Sequence, residues 1–261
     1  MNLKGIIFDL DGTVYRGDEA VPGAAPLIGH LHAHGVRTLF VTNRANRPPE
    51  GVRAHLQALG IRCIVEDVLT SSEATAEYLH RGSVYLIGEA GIRAALEHNG
   101  FTFTDNKPDY VIVSFDREFN YAKLRDACLL IQQGARFVAT NPDKGLRMPE
   151  GVMPGTGAIV ASIVAATGAT PLVVGKPEPR ILEIALRRMK LSPDTVLTVG
   201  DNIETDMPAS AGAGITSILI LTGISTRADL SKATVLPQHV VGDYAELREL
   251  LERLSGFHLG E

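Results

Sequence analysis

The chain has no tryptophan, and aromatic residues make up only 5% of its 261 positions. That leaves little for the stacked aromatic platforms on which single-stranded nucleic acids are held. It is equally poor in positive charge. With 25 Lys and Arg against 30 Asp and Glu, the net charge is -5, the wrong balance for a phosphate-backbone-binding surface. It has two cysteines, Cys63 and Cys128, far apart and outside any CxxC spacing. They read as reduced thiols of a cytoplasmic protein, with a disulfide or a zinc site as the lesser alternative. No apolar run approaches the roughly 20 residues of a membrane span. The N-terminal apolar run is broken by Asp9 and Asp11, unlike a signal peptide. Neither nucleic acid nor membrane is therefore an expected partner. His30, His32 and His34 are close in sequence, but that spacing spreads them around a helix and does not build a metal site.

What remains is an ordinary globular balance, 45% hydrophobic and 21% charged. Short apolar runs alternate with helical patterns along the chain, the mark of parallel sheets with crossover helices. The spacing predicts strands over 5–8, 38–41, 84–87, 110–113, 136–139, 172–174, 196–199 and 216–221. Helices are expected over 24–34, 50–59, 72–80, 92–99, 121–133, 157–166, 179–189, 205–211 and 244–254. The segment 256–261 is expected to fray.

Chemistry concentrates at strand ends. Ile6-Ile7-Phe8 runs into Asp9-Leu10-Asp11-Gly12-Thr13. Unpaired acids are costly inside a sheet, so their place is its C-terminal edge, where open α/β sheets bind ligands. There Asp9, held ionised beside a divalent cation, is suited to attack phosphorus, and Asp11 to carry protons. Gly12 and Thr13 allow a tight turn with amides aimed at an anion. A turn acid and a helix-capping acid are the alternative reading. Thr42 and Asn43, after 38–41, can hold phosphoryl oxygens without adding charge; a loop cap is the alternative. Lys176, set between Gly175 and Pro177, can face a phosphate, or else be a surface charge. Asp201 follows the strand 196–199 as a third metal carboxylate, with Asn202 beside it. Asp206 acts through water, orients a ligand, or supplies a favourable charge at a helix N-terminus. All four strand ends are expected to converge on one edge of one sheet.

These motifs together resemble the haloacid dehalogenase-like phosphatases, and the resemblance runs the length of the chain. It implies an α/β fold: a Rossmann-like parallel-sheet core, residues 1–80 and 173–261, with a smaller α/β cap inserted over 81–172. The insert is similar in place and size to the cap of the NagD and p-nitrophenylphosphatase group. The resemblance further implies an aspartyl-phosphate on Asp9, with Asp11 as acid and base. Mg²⁺ would be held by the Asp9 side chain, the Asp11 carbonyl and Asp201, and the phosphoryl group by Thr42, Asn43 and Lys176. Asp11 points to phosphate rather than halide, since family dehalogenases lack it. Where many relatives read Thr-Asn-Asn-Ser, this chain reads Thr42-Asn43-Arg44-Ala45; Arg44 reaches either an anionic substrate or a surface partner. Asn141 and Asp143 in the cap either face the substrate or form an Asx turn. The expected function is Mg²⁺-dependent hydrolysis of a small phosphate ester, a sugar phosphate or nucleoside monophosphate. A phosphate- or metal-binding protein without catalysis and a phosphomutase are the competing readings. Homodimerisation through the cap is implied by resemblance alone.

Overall fold

The computed structural model describes residues 1–148 and 151–259, and the chain divides into two compact units. The first comprises 1–42, 49–69 and 177–261; the second comprises 43–48 and 70–176.

The first unit is built on a six-stranded sheet. Its order is His239–Val241, Thr216–Ile220, Val196–Gly200, Gly5–Asp9, Arg37–Thr42, Val68–Thr70. Gly5–Asp9 pairs in parallel with Val196–Gly200 on one side and Arg37–Thr42 on the other. The central strands are buried on both faces, which is why they read as unbroken apolar runs rather than alternating ones. Helix Ala24–Ala33 packs with Tyr244–Ser255, while Arg180–Met189 packs with Asp206–Gly212. Gly5 lies close under the end of helix Arg180–Met189, where a Cβ would meet Met189 Cε at 2.5 Å. The tail corrects the expectation of fraying. Leu259 is buried in the core and its amide donates to Glu252 Oε1 at 2.7 Å, while 260–261 lie outside the described residues.

The second unit has its own sheet, in the order Leu172–Val173, Arg136–Ala139, Tyr110–Val113, Ser83–Ile87, Thr102–Phe103, with parallel pairing throughout. Helices Tyr121–Gln132 and Thr156–Thr167 close its apolar core around Ile87, Val111, Phe137 and Ile163. Helix Ser71–Leu79 packs on Ala90–His98, so residues from 70 onward group with this unit rather than from 81. A short hairpin, Gly145–Met148 with Gly151–Pro154, completes it.

The placement of Leu172–Val173 corrects the expected convergence. This strand pairs with Arg136–Ala139, so Lys176 leaves the second sheet and not the one that carries Asp9. A two-residue apolar strand carries no mark of which sheet it will join.

Among the described residues no helix is long and apolar enough to cross a membrane. Both cysteines are free and buried. Burial, and then the nearby Asp67, push the Cys63 thiol up to about 11, and burial also raises Cys128. At pH 8 only about 1 in 10³ of Cys63 would be thiolate. An aromatic disulfide reagent is therefore expected to label the native protein slowly and both thiols at once after unfolding. Rapid labelling of the native protein would contradict this.

Candidate active site

Four adjacent strands of the first sheet end side by side in polar groups. In sheet order these are the segment after Thr216–Ile220, Asp201 after Val196–Gly200, Asp9 closing Gly5–Asp9, and Thr42 closing Arg37–Thr42. Neighbouring strands in a sheet run about 4.8 Å apart, so the four groups stand in one row. Asp9, Asp201 and Asp206 each place a carboxylate oxygen within 4.8 Å of the others. Asp201 and Asp206 are buried and Asp9 is half-buried.

Three like charges at that spacing repel strongly in a partly dry site, and a cation offsets the repulsion. The donor set is all carboxylate oxygen, which fits a hard divalent ion and not a soft one. The oxygens are also held in place. Thr13 Oγ1 donates towards Asp201 Oδ1 at 3.3 Å and Asp9 Oδ2 at 3.5 Å. The Ile224 amide donates to Asp201 Oδ2 at 2.6 Å, and the Asn202 amide to Asp206 Oδ2 at 3.0 Å. Asp206 sits in the first turn of helix Asp206–Gly212, so it is both a helix-terminal charge and a member of the cluster. Gly200 makes this possible, because a Cβ there would lie 2.4 Å from the Asp206 carboxylate.

The Asp9–Thr13 turn is braced from behind. The amides of Thr13 and Val14 donate to the Leu10 carbonyl, and Gly12, at φ +87°, donates to the Tyr15 carbonyl at 2.8 Å. Asp11 is half-buried within this turn and forms a bridge with Tyr15. Tyr244, buried, donates its hydroxyl to the Thr13 carbonyl at 3.1 Å; burial and the charge of Asp9 both push its phenol upward.

The segment Thr222–Ser225 is part of the site that sequence reasoning missed. Besides the Ile224 amide, Thr222 Oγ1 donates to the Gly12 carbonyl at 2.8 Å, and the Ser225 amide to the Asp201 carbonyl at 3.1 Å. Gly223 lies so close that a Cβ would fall 1.9 Å from Asp201 Oδ2. Its only sequence signal is a glycine shortly after an apolar strand.

The remaining candidates lie in the second unit. Lys176 is buried, 4% exposed. Asn43 joins its side chain to the Lys176 main chain and to Asp143. Asn141 accepts from the Asp143 amide at 3.1 Å, which is the Asx turn, and donates to the Asn43 carbonyl at 2.9 Å. Arg44 is half-buried and Ala45 is buried. Glu204 is exposed and outside the cluster.

A family model described as haloacid dehalogenase-like hydrolase matches residues 6–102, and a HAD-hydrolase-like model matches 173–247. The chain is 38% identical over 247 residues to the 5'-nucleotidase YutF of Bacillus subtilis, covering 93% of this chain and 96% of that one. It is 36% identical over 255 residues to the acid sugar phosphatase of Staphylococcus aureus, covering 96% and 98%. Among solved structures it is similar to NagD from E. coli, at TM-score 0.89 and 34% identity, over 94% of this chain and 98% of that one. The 4-nitrophenylphosphatase of Thermotoga maritima matches at TM-score 0.89 and 32% identity, over 94% and 96%.

Proposed function

The chain belongs to the haloacid dehalogenase-like hydrolases, among their NagD-like phosphatases, and on that premise we propose a Mg²⁺-dependent reaction through a phosphorylated Asp9. It is a phosphomonoester hydrolase. The observation that supports the finer reading is the clustering of Asp9 with Asp201 and Asp206 at the end of the first sheet.

In this reading a carboxylate oxygen of Asp9 attacks phosphorus, the ester P–O bond breaks, and Asp11 gives a proton to the departing oxygen. Water then attacks the phosphorus of the aspartyl-phosphate, its proton passes to Asp11, and phosphate leaves with Asp9 restored. Bound among the carboxylates, Mg²⁺ would neutralise charge on the phosphoryl oxygens. Asp9 and Asp201 would hold it together with the Asp11 carbonyl, and Asp206 would support them from the same cluster. Thr13 and the Ile224 amide keep the carboxylates in their orientation. Thr42 supplies a hydroxyl, and Lys176 a cation that offsets repulsion between nucleophile and substrate. Arg44 belongs with them by resemblance, and Asn43 stands beside Lys176, bonded to its main chain.

The second unit serves as the cap that selects the leaving group, with Asn141 and Asp143 at its polar strand end. Relatives named for nucleotide and for sugar phosphate hydrolysis both support a small phosphate ester of one of these kinds. A cytoplasmic location and a homodimer formed through the second unit belong to the same reading; Tyr121 and Leu129, exposed on one helix, offer apolar surface for the dimer.

The test is a panel of phosphomonoesters assayed with Mg²⁺ and with EDTA. Phosphate release that EDTA abolishes and Mg²⁺ restores is expected, and the ranking of esters reads out the cap's preference. Release unaffected by EDTA would remove the metal from the reading. Metal binding without release from any ester would favour a binding protein.

A further inference from the structure

The geometry points to the Asn43 side chain as a positioning residue for Lys176, acting as an added rung on the second sheet rather than as a ligand of the phosphoryl group. The inference rests on the reading of Lys176 as a phosphoryl-binding cation.

The rungs can be followed in order. Leu172–Val173 pairs in parallel with Arg136–Ala139, at Leu172 with Val138 and Val173 with Ala139. Beyond the strand the ladder continues, with the Val174 amide on the Ala139 carbonyl at 3.1 Å and the Gly175 amide on the Thr140 carbonyl at 2.8 Å. At Lys176 the partner main chain is replaced by a side chain. Asn43 Oδ1 accepts from the Lys176 amide at 2.9 Å, and Asn43 Nδ2 donates to the Lys176 carbonyl at 2.8 Å. A primary amide offers the same donor and acceptor pair as a peptide, so it can close both ends of one residue at once. Pro177 has no amide hydrogen, so the ladder cannot go further, and it keeps Lys176 out of helical geometry.

The clasp is itself immobilised. The Asn43 carbonyl accepts from Ser71 Oγ at 2.7 Å and from Asn141 Nδ2 at 2.9 Å. Asn43 Nδ2 also donates to both oxygens of Asp143, at 3.1 and 3.2 Å. Gly175 is what lets these segments close: a Cβ there would lie 2.5 Å from the Thr140 carbonyl and 2.6 Å from Asn43 Oδ1. Both hydrogen-bonding atoms of the Asn43 side chain are thus committed to Lys176 and Asp143. A buried lysine on a flexible stem needs its Cα fixed if its ammonium is to meet a phosphoryl group at one height.

The experiment is a double-mutant cycle with two readouts, kcat/KM for p-nitrophenyl phosphate and the affinity for inorganic phosphate by calorimetry with Mg²⁺ present. Lys176→Met is measured first against the wild-type chain. A variant as active as wild type removes Lys176 from phosphoryl binding and overturns the proposal with it. With Lys176 in place, Asn43→Ala is expected to lower kcat/KM by about 10²-fold, the scale of a misplacement of about 1 Å. It should weaken phosphate on the order of tenfold. In the Lys176→Met background the same change is expected to cost no more than about twofold, because its route is already cut. Full additivity would mean that Asn43 touches the phosphoryl group itself, and would overturn the proposal. Ser71→Ala, which removes one bond that holds Asn43 in place and leaves the Lys176 main chain untouched, carries the cycle should Asn43→Ala not fold. It should show the same coupling at smaller size, and additivity there would overturn the proposal equally.

Discussion

Asp9→Asn is expected to abolish turnover of p-nitrophenyl phosphate, with a loss on the order of 10⁴-fold or more, as when a nucleophile is removed from a site that otherwise stays intact. The change keeps the size of the side chain and one carbonyl oxygen, and it leaves Gly5–Asp9 paired on both sides. What it removes is the charge and the oxygen that the proposed attack would use. Two further consequences separate this outcome from damage to the fold. The thermal midpoint without metal should hold or rise, because one of three clustered negative charges is gone. Acid quenching during turnover should trap a phosphorylated chain in the wild-type protein and none in the variant. A variant within tenfold of wild type, or one that still traps phosphate, would show that the attacking group lies elsewhere. Residual hydrolysis by an activated water would appear as slow turnover without a trapped intermediate, and would identify Asp9 as a metal ligand only.

How much of this site could be seen in advance depends on which atoms do the work. The Asp9–Asp11 turn was legible because a buried apolar strand cannot continue into two acids, so the acids mark its edge. Asp201 was legible for the same reason. Asp206 was half legible: an acid at a helix start is common, and only the fold brings its carboxylate against Asp9 and Asp201. Thr222–Ser225 was opaque because it holds Asp201 through main-chain amides, which no residue name announces, and a glycine shortly after a strand is common. Asn43 was recognised as a residue but not in its partners, which come from 71, 141–143 and 176 and depend on the second sheet. The sheet that Leu172–Val173 joins is not legible, since apolar residues of that length suit either one. The core strands themselves were placed within a residue or two, because burial on both faces leaves a continuous hydrophobic record. The three-residue strands Val68–Thr70 and His239–Val241 were too short to leave one.

Gly223→Ala tests the opaque part of the site. The substitution adds one methyl group where none fits: the ideal Cβ lies 1.9 Å from Asp201 Oδ2, 2.4 Å from its Cγ and 2.7 Å from its Cβ. No positive φ is involved at Gly223, so the backbone can accept alanine and the conflict is one of space. A Cβ at Gly12 would likewise fall 2.5 Å from Asp201 Oδ2, so this carboxylate packs against two glycines. The added methyl group is expected to be relieved by shifting the segment that carries the Ile224 amide. That shift breaks the 2.6 Å hydrogen bond orienting Asp201 and the contact from Thr222 to Gly12. Overpacking of this kind costs about 1–3 kcal/mol of stability. Disturbing the groups behind a metal-binding carboxylate costs about 10–100-fold in metal affinity or activity. The Mg²⁺ concentration for half-maximal activity is therefore expected to rise by that factor, with kcat partly recovered at saturating metal. A variant that merely unfolded would lose kcat at every metal concentration and show it in its thermal midpoint. A folded variant with wild-type Mg²⁺ dependence would mean that Asp201 does not hold the ion, and the cluster would have to be rebuilt around Asp9 and Asp206.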